Sequence, residues 1–131
     1  MEKNRGGYDD RVHMYDMADT YLPAFRTAVR EGNAAGIMCS YNAINGVPTC
    51  ASKQLNQILR DTWKFDGYVT SDTGAIRDIF NAHGYCKTPE NATSLALQAG
   101  CDINSGSVYA TAAGKGVLNP ISPLYNVSLF C

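Results

Sequence analysis

Gly67-Tyr68-Val69-Thr70-Ser71-Asp72-Thr73-Gly74-Ala75 is the stretch that decides how this chain is read. A short β-branched and aromatic run ends in a carboxylate, a small polar residue and a glycine. The run suits a buried strand, and the glycine marks its passage into a loop. A carboxylate at such a strand end is held rigidly and can face a cleft, where barrel enzymes keep their reactive groups. Three roles are open to Asp72: a nucleophile, half of an aspartic-protease dyad, or an N-cap for a helix starting near Ala75.

Outward from this stretch, Gly36-Ile37-Met38-Cys39-Ser40-Tyr41 reads as an earlier buried strand and Cys101-Asp102-Ile103-Asn104 as a later one. The three strands begin about 32 residues apart, which suits successive βα units in a parallel sheet. A helix is expected over residues 11–31, with Val12, Tyr15, Leu22, Phe25 and Val29 on one face and Asp9 and Asp10 as caps. Pro23 should kink or divide it. Residues 42–49 carry Asn45-Gly46 and Pro48, which is turn chemistry. Ser52 can cap a second helix in which Leu55, Ile58, Leu59 and Trp63 recur at helical spacing. Further helices are expected over residues 75–80, from Thr88-Pro89-Glu90 to Gly100, and over residues 107–115.

The expected fold is therefore α/β: a partial (β/α)8 TIM-type barrel of about three βα units, since closure needs eight. A doubly wound sheet competes, but no Gly-x-Gly-x-x-Gly follows any of the strands. Residues 1–118 read as the barrel segment. Residues 119–131, bracketed by Pro120 and Pro123, read as a divergent or truncated tail.

With 131 residues, one domain is the natural count, and 45% hydrophobic with 18% charged residues describes a globular chain. A net charge of −1 without a basic run argues against nucleic acid as a partner. No apolar stretch approaches the roughly 20 residues of a membrane span, and the polar N-terminus has no signal-peptide core. Five cysteines show neither Cys-x-x-Cys nor Cys/His spacing, so no metal site is expected. Cys39 and Cys50 flank the turn-rich loop and could close a small disulfide; the alternative is that both are buried small hydrophobes. Asn91-Ala92-Thr93 and Asn126-Val127-Ser128 are glycosylation sequons, which lean towards secretion.

Longer motifs carry a resemblance. Residues 38–51, Met-Cys-Ser-Tyr-Asn-Ala-Ile-Asn-Gly-Val-Pro-Thr-Cys-Ala, are followed by Leu59-Arg60-Asp61 and by Asp66-Gly67-Tyr68-Val69-Thr70-Ser71-Asp72. Together they resemble glycoside hydrolase family 3, in particular its β-xylosidase and α-arabinofuranosidase branch. Asp19-Thr20-Tyr21-Leu22-Pro23-Ala24-Phe25, His83-Gly84-Tyr85, Lys87-Thr88-Pro89-Glu90 and Ala99-Gly100-Cys101-Asp102-Ile103-Asn104 are similar to that branch as well.

The resemblance implies a retaining hydrolase of xylan- or arabinan-derived oligosaccharides, extracellular and without a cofactor, in which Asp72 is the nucleophile. It implies Tyr41, Met38 and Thr73 as substrate-binding positions, with Tyr41 near the nucleophile. The family's upstream Lys-His pair and arginine would precede residue 1, and its acid/base glutamate belongs to a second domain absent from this chain. Many relatives carry cysteines where this chain has Thr73 and Ser105, and glucosidase relatives usually carry tryptophan at the first of these. An inactive fragment or a sugar-binding remnant is the alternative function.

Asp72-Thr73-Gly74 is also the literal aspartic-protease signature. Thr70 and Ser71 before it, the helical neighbours and the lack of a second such tripeptide all oppose that reading. His83 is expected to be a surface or hydrogen-bonding residue, and Asp102 a structural one.

Overall fold

The computed structural model describes residues 4–113. A 3₁₀ turn, Arg5–Gly7, leads into strand β1 (Asp9–Asp10) and then a helix in three parts: α1 (Met14–Asp16), a π-turn (Met17–Tyr21) and α2 (Leu22–Arg30). Strands β2 (Gly36–Cys39), β3 (Ala43–Ile44) and β4 (Val47–Pro48) follow. After a 3₁₀ turn (Thr49–Ala51), α3 (Lys53–Gln57) runs through a second π-turn (Ile58–Thr62) towards β5 (Tyr68–Ser71). Helices α4 (Ala75–Asn81), α5 (Pro89–Gln98) and α6 (Val108–Ala113) complete the described chain.

The sheet that matters for function is parallel. β2 and β5 pair in register from Gly36↔Tyr68 to Cys39↔Ser71, and Ile103 joins the far side of β5 through one parallel bridge to Thr70. Alternation along the pair puts Ile37, Cys39, Val69 and Ser71 on one face and Met38 and Thr70 on the other. The first face is covered. Val69 packs with Val29, Leu59 and Phe65, flanked by Ile37 and Trp63. A second cluster joins Ala75, Ile76 and Ile79 of α4 to Ala92 and Ala96 of α5, Cys101 and Val108. The small alanines let α4 and α5 approach closely enough to bury Ile76 and Ile79 completely.

The third strand expected at residues 101–104 shrinks to that single bridge. The Val69 N–H, which would extend the ladder, is instead taken by the Asp102 carboxylate at 2.7 Å. The Arg60 guanidinium pairs with the same carboxylate oxygen at 3.3 Å. Asp102 is thus structural, closing the edge of β5.

Asp9 and Asp10 do not cap the first helix. They form β1, paired in parallel with β3, and their carboxylates reach the following hairpin: Asp9 accepts from the Gly46 N–H (2.7 Å) and also pairs with nearby Arg11 (2.9 Å), and Asp10 accepts from Asn42 (3.0 Å). The helix starts later, at Met14, where the His13 ring accepts from the Tyr15 N–H at 3.2 Å. Pro23 does divide it: the π-turn closes with a Leu22 N–H to Met17 carbonyl bond just before the residue that has no N–H. Of the expected apolar face Val29 is buried, whereas Tyr15 and Phe25 are exposed.

Residues 42–49 form more than a turn. β3 and β4 make a hairpin, Ala43↔Pro48 and Ile44↔Val47, whose tip Asn45-Gly46 has positive φ at both positions, as a type I′ turn demands. Ser52 caps α3 as expected, accepting from the Leu55 N–H at 3.2 Å. Thr88 does the same for α5, with Pro89 at its first turn. Residues 114–131, including the Asn126 sequon and the expected tail, lie outside the described residues.

Candidate active site

Parallel strands deliver their following loops to one edge of the sheet. Because Cys39 and Ser71 are register partners, Ser40-Tyr41 and Asp72-Thr73 leave β2 and β5 side by side. The Asp72 N–H donates to the Cys39 carbonyl at 3.0 Å, which ties the two exits together.

Asp72 does not serve as a helix cap. Gly74 occupies the cap position of α4 with φ of +83°, a left-handed conformation suited to glycine, and no side chain caps the helix. The Asp72 carboxylate accepts from the Thr73 N–H at 2.7 Å and is half-buried, with solvent access left for another group. Asp72-Thr73-Gly74 therefore lies in a βα loop of a parallel sheet, not in the all-β surroundings that the protease reading requires.

Tyr41 reaches across to this loop. Its hydroxyl donates to the Thr73 carbonyl at 2.9 Å, one peptide from Asp72. Desolvation, and next the Asp72 carboxylate, push the Tyr41 phenol above its ordinary value, against a lowering effect of Arg5. The phenol thus stays a neutral donor at physiological pH. The Arg5 guanidinium stacks over its ring, 4.9 Å from the centroid. Below, the His83 Nε2 donates to the Tyr41 carbonyl at 2.8 Å, since a carbonyl oxygen can only accept. His83 is thus a hydrogen-bonding anchor for the Tyr41 loop.

Met38 stands on the sheet face opposite the helices, paired with Thr70, two residues before Asp72. It is 57% exposed, so it is not a core residue. Thr73 is exposed, and its hydroxyl lies 2.9 Å from that of Ser105. The structure therefore brings Asp72, Tyr41 and Thr73 into one bonded cluster and leaves Met38 at its margin. Sequence reasoning missed Arg5 over Tyr41 altogether; a lone arginine before a Gly-Gly pair carries no signal for that contact.

Cys39 and Cys50 are joined by a disulfide that pins the end of β2 to the turn after β4. Cys101 is free, buried at 2% exposure, with its sulfur 3.9 Å from that of Cys39. Burial pushes the Cys101 thiol up to about 11. Among the described residues no group of three or more His, Cys, Asp or Glu side chains could hold a metal ion.

A sequence model of the glycosyl hydrolase family 3 N-terminal domain matches residues 5–121, and the chain belongs to that family. It is 53% identical over 92 residues to a protein named "Probable beta-D-xylosidase 6" from Arabidopsis thaliana, a match covering 70% of this chain and 12% of that protein. Among solved structures, a GH3 exo-β-xylosidase in complex with a xylobiose aziridine activity-based probe superposes with a TM-score of 0.84 at 35% identity, over 91% of this chain and 16% of the other. A β-glucosidase from Listeria innocua in complex with glucose superposes with a TM-score of 0.78 at 29% identity, over 85% and 15%. The chain thus spans less than one fifth of the length of each of these relatives.

Proposed function

We propose that this chain is the nucleophile-bearing part of a retaining glycoside hydrolase of β-xylosidase type, acting on xylan- or arabinan-derived oligosaccharides. The observation that carries the proposal is the Asp72 carboxylate at the shared exit of two parallel strands, with the Tyr41 phenol bonded one peptide away. In this reading the parallel strands are an arc of a (β/α)8 barrel, and Met38 and Thr70 face its lumen. Asp72 attacks the anomeric carbon as the glycosidic C–O bond breaks, and an acid/base carboxyl of a second domain protonates the departing oxygen. Water, deprotonated by that same carboxyl, then releases the sugar from Asp72. This chemistry needs no metal or organic cofactor.

Tyr41 is suited to hold the loop and to offer a neutral hydroxyl beside the developing sugar–carboxylate bond. Thr73 leaves the position after the nucleophile small, which favours a pentose subsite over one lined there by tryptophan. The names of the xylosidase relatives agree with that preference. An extracellular setting accords with the Cys39–Cys50 disulfide and with the exposed side chain of Asn91 in its sequon. The 131-residue chain alone, lacking the acid/base, is read as inactive or as a weak sugar binder.

The test is covalent labelling. A xylobiose-configured aziridine incubated with the full-length protein that carries this segment should add its mass to the peptide containing Asp72, and Asp72→Ala should abolish it. Undiminished labelling of the variant would sink the assignment. Turnover of a nitrophenyl xyloside by the isolated chain at rates typical of xylosidases would overturn the dependence on a second domain.

A further inference from the structure

We propose that Ser105 is the positioning residue for Asp72, a role that rests on reading Asp72 as the nucleophile. Ser105 follows the Ile103 bridge and reaches the Asp72 loop through three separate groups. Its N–H donates to the Ser71 hydroxyl at 3.0 Å, its carbonyl accepts from the Gly74 N–H at 2.8 Å, and its hydroxyl pairs with that of Thr73 at 2.9 Å. These contacts bracket Asp72 on both sides.

Each one acts on a residue that fixes the carboxylate. Ser71 is 1% exposed and sets where the strand releases Asp72. Thr73 supplies the N–H that bonds the carboxylate at 2.7 Å, so holding the Thr73 side chain holds that donor. Gly74 must keep its positive φ for α4 to begin where it does. The neighbouring residue plays no comparable part: both polar atoms of the Asn104 amide are buried without a hydrogen-bond partner. All four N–H groups from Ser71 to Gly74 are engaged, and of the bonds to Ser105 only the hydroxyl pair depends on its side chain. A substitution can therefore loosen the clasp without removing its backbone part.

In-line attack tolerates little displacement, and a misplacement of about 1 Å can cost on the order of a hundredfold in rate. Loss of one neutral hydrogen bond should cost about three- to tenfold. The experiment is single-turnover formation of the glycosyl-enzyme from an activated xyloside, per titrated active site, in the full-length protein. Ser105→Ala should lower that rate constant about three- to tenfold, with KM and melting temperature nearly unchanged, and Ser105→Thr should restore it. Thr73→Ala removes the same bond from the other side and serves if Ser105→Ala does not fold; the two together should cost no more than either alone.

A wild-type rate constant in a folded Ser105→Ala protein would overturn the proposal. So would a lowered melting temperature or active fraction with an unchanged rate per site, which is what a merely structural role predicts. Asp72→Ala separates the two layers. If it retains the burst, the nucleophile reading fails; if it abolishes the burst while both hydroxyl variants are silent, only the clasp fails.

Discussion

The hydroxyl of Tyr41 donates to the carbonyl of Thr73 at 2.9 Å, joining the loops that leave two neighbouring parallel strands. The bond holds the Thr73–Gly74 peptide, the one after the peptide whose Thr73 N–H donates to the Asp72 carboxylate. Tyr41→Phe removes this bond and the phenol's interaction with the Asp72 carboxylate, and leaves the ring under Arg5. In the full-length protein it should lower kcat about three- to tenfold with a smaller change in KM. Because the phenol is raised above its ordinary value, ionisation of Tyr41 should not shape the pH profile below about pH 10. Steady-state kinetics on a nitrophenyl xyloside across pH check both points.

Asp102 supports the site from the next strand position. Asp102→Ala leaves the buried Val69 N–H without its acceptor and should cost about 1–3 kcal/mol. Asp102→Asn keeps an acceptor and loses mainly the partly exposed pair with Arg60, so its cost should stay within about 1 kcal/mol. Urea midpoints of the two variants should fall in that order; equal midpoints would refute the role of the backbone contact.

The Cys39–Cys50 disulfide closes a short loop, with a sequence separation of 11. Its removal by Cys39→Ser should cost about 3 kcal/mol through greater freedom of the unfolded chain. Cys50→Ser should cost less under oxidised glutathione, because the freed Cys39 sulfur sits beside that of Cys101, 3.9 Å away. A Cys39–Cys101 peptide on a non-reducing map is the expected product, and its absence after full oxidation would count against the exchange of partners.

Cys101 also predicts an alkaline limit to stability. Its folded thiol titrates near 11 against 9.0 for the free group, so the folded state holds a proton that the unfolded chain gives up. The corresponding stability, about 3 kcal/mol, is fully present below pH 9 and is lost as pH rises through 11. Cys101→Ala should flatten the fall in unfolding free energy over that interval. Iodoacetamide should label the half-buried Cys86 well before Cys101 in the folded protein.

Asn91 is exposed in the first turn of α5, whereas Thr93 of the same sequon is fully buried. A glycosylating enzyme can read that threonine only before folding. Secretion from a eukaryotic host should therefore give a glycan on Asn91 that is removable by glycosidase, while the folded, unglycosylated chain should resist modification in vitro. Asn91→Gln would abolish the mass shift.

The parts of this fold that were legible in the sequence are those whose physics is local. β2 is a compact apolar run and β5 a β-branched and aromatic one, Ser52 and Thr88 cap their own helices, and Asn45-Gly46 suits its own turn. The parts that were not legible depend on distant partners. Asp9 and Asp10 look like helix caps until Gly46 and Asn42 take their carboxylates from across the hairpin. The strand at residues 101–104 looks complete until Asp102 places a side chain where a backbone carbonyl would extend the ladder.

The same division runs through the site. By itself the sequence determined that Asp72 and Tyr41 each follow a strand, and which family the motifs belong to. Only the tertiary structure decided that Gly74 caps α4 in its place, that Ser105 holds the residues on either side of Asp72 while Tyr41 holds Thr73, and that Met38 is open rather than buried. Strand ends and turns follow from short-range sterics and backbone hydrogen bonding. Which loops meet at one sheet edge follows from parallel register, and that register is set by burial of the opposite face.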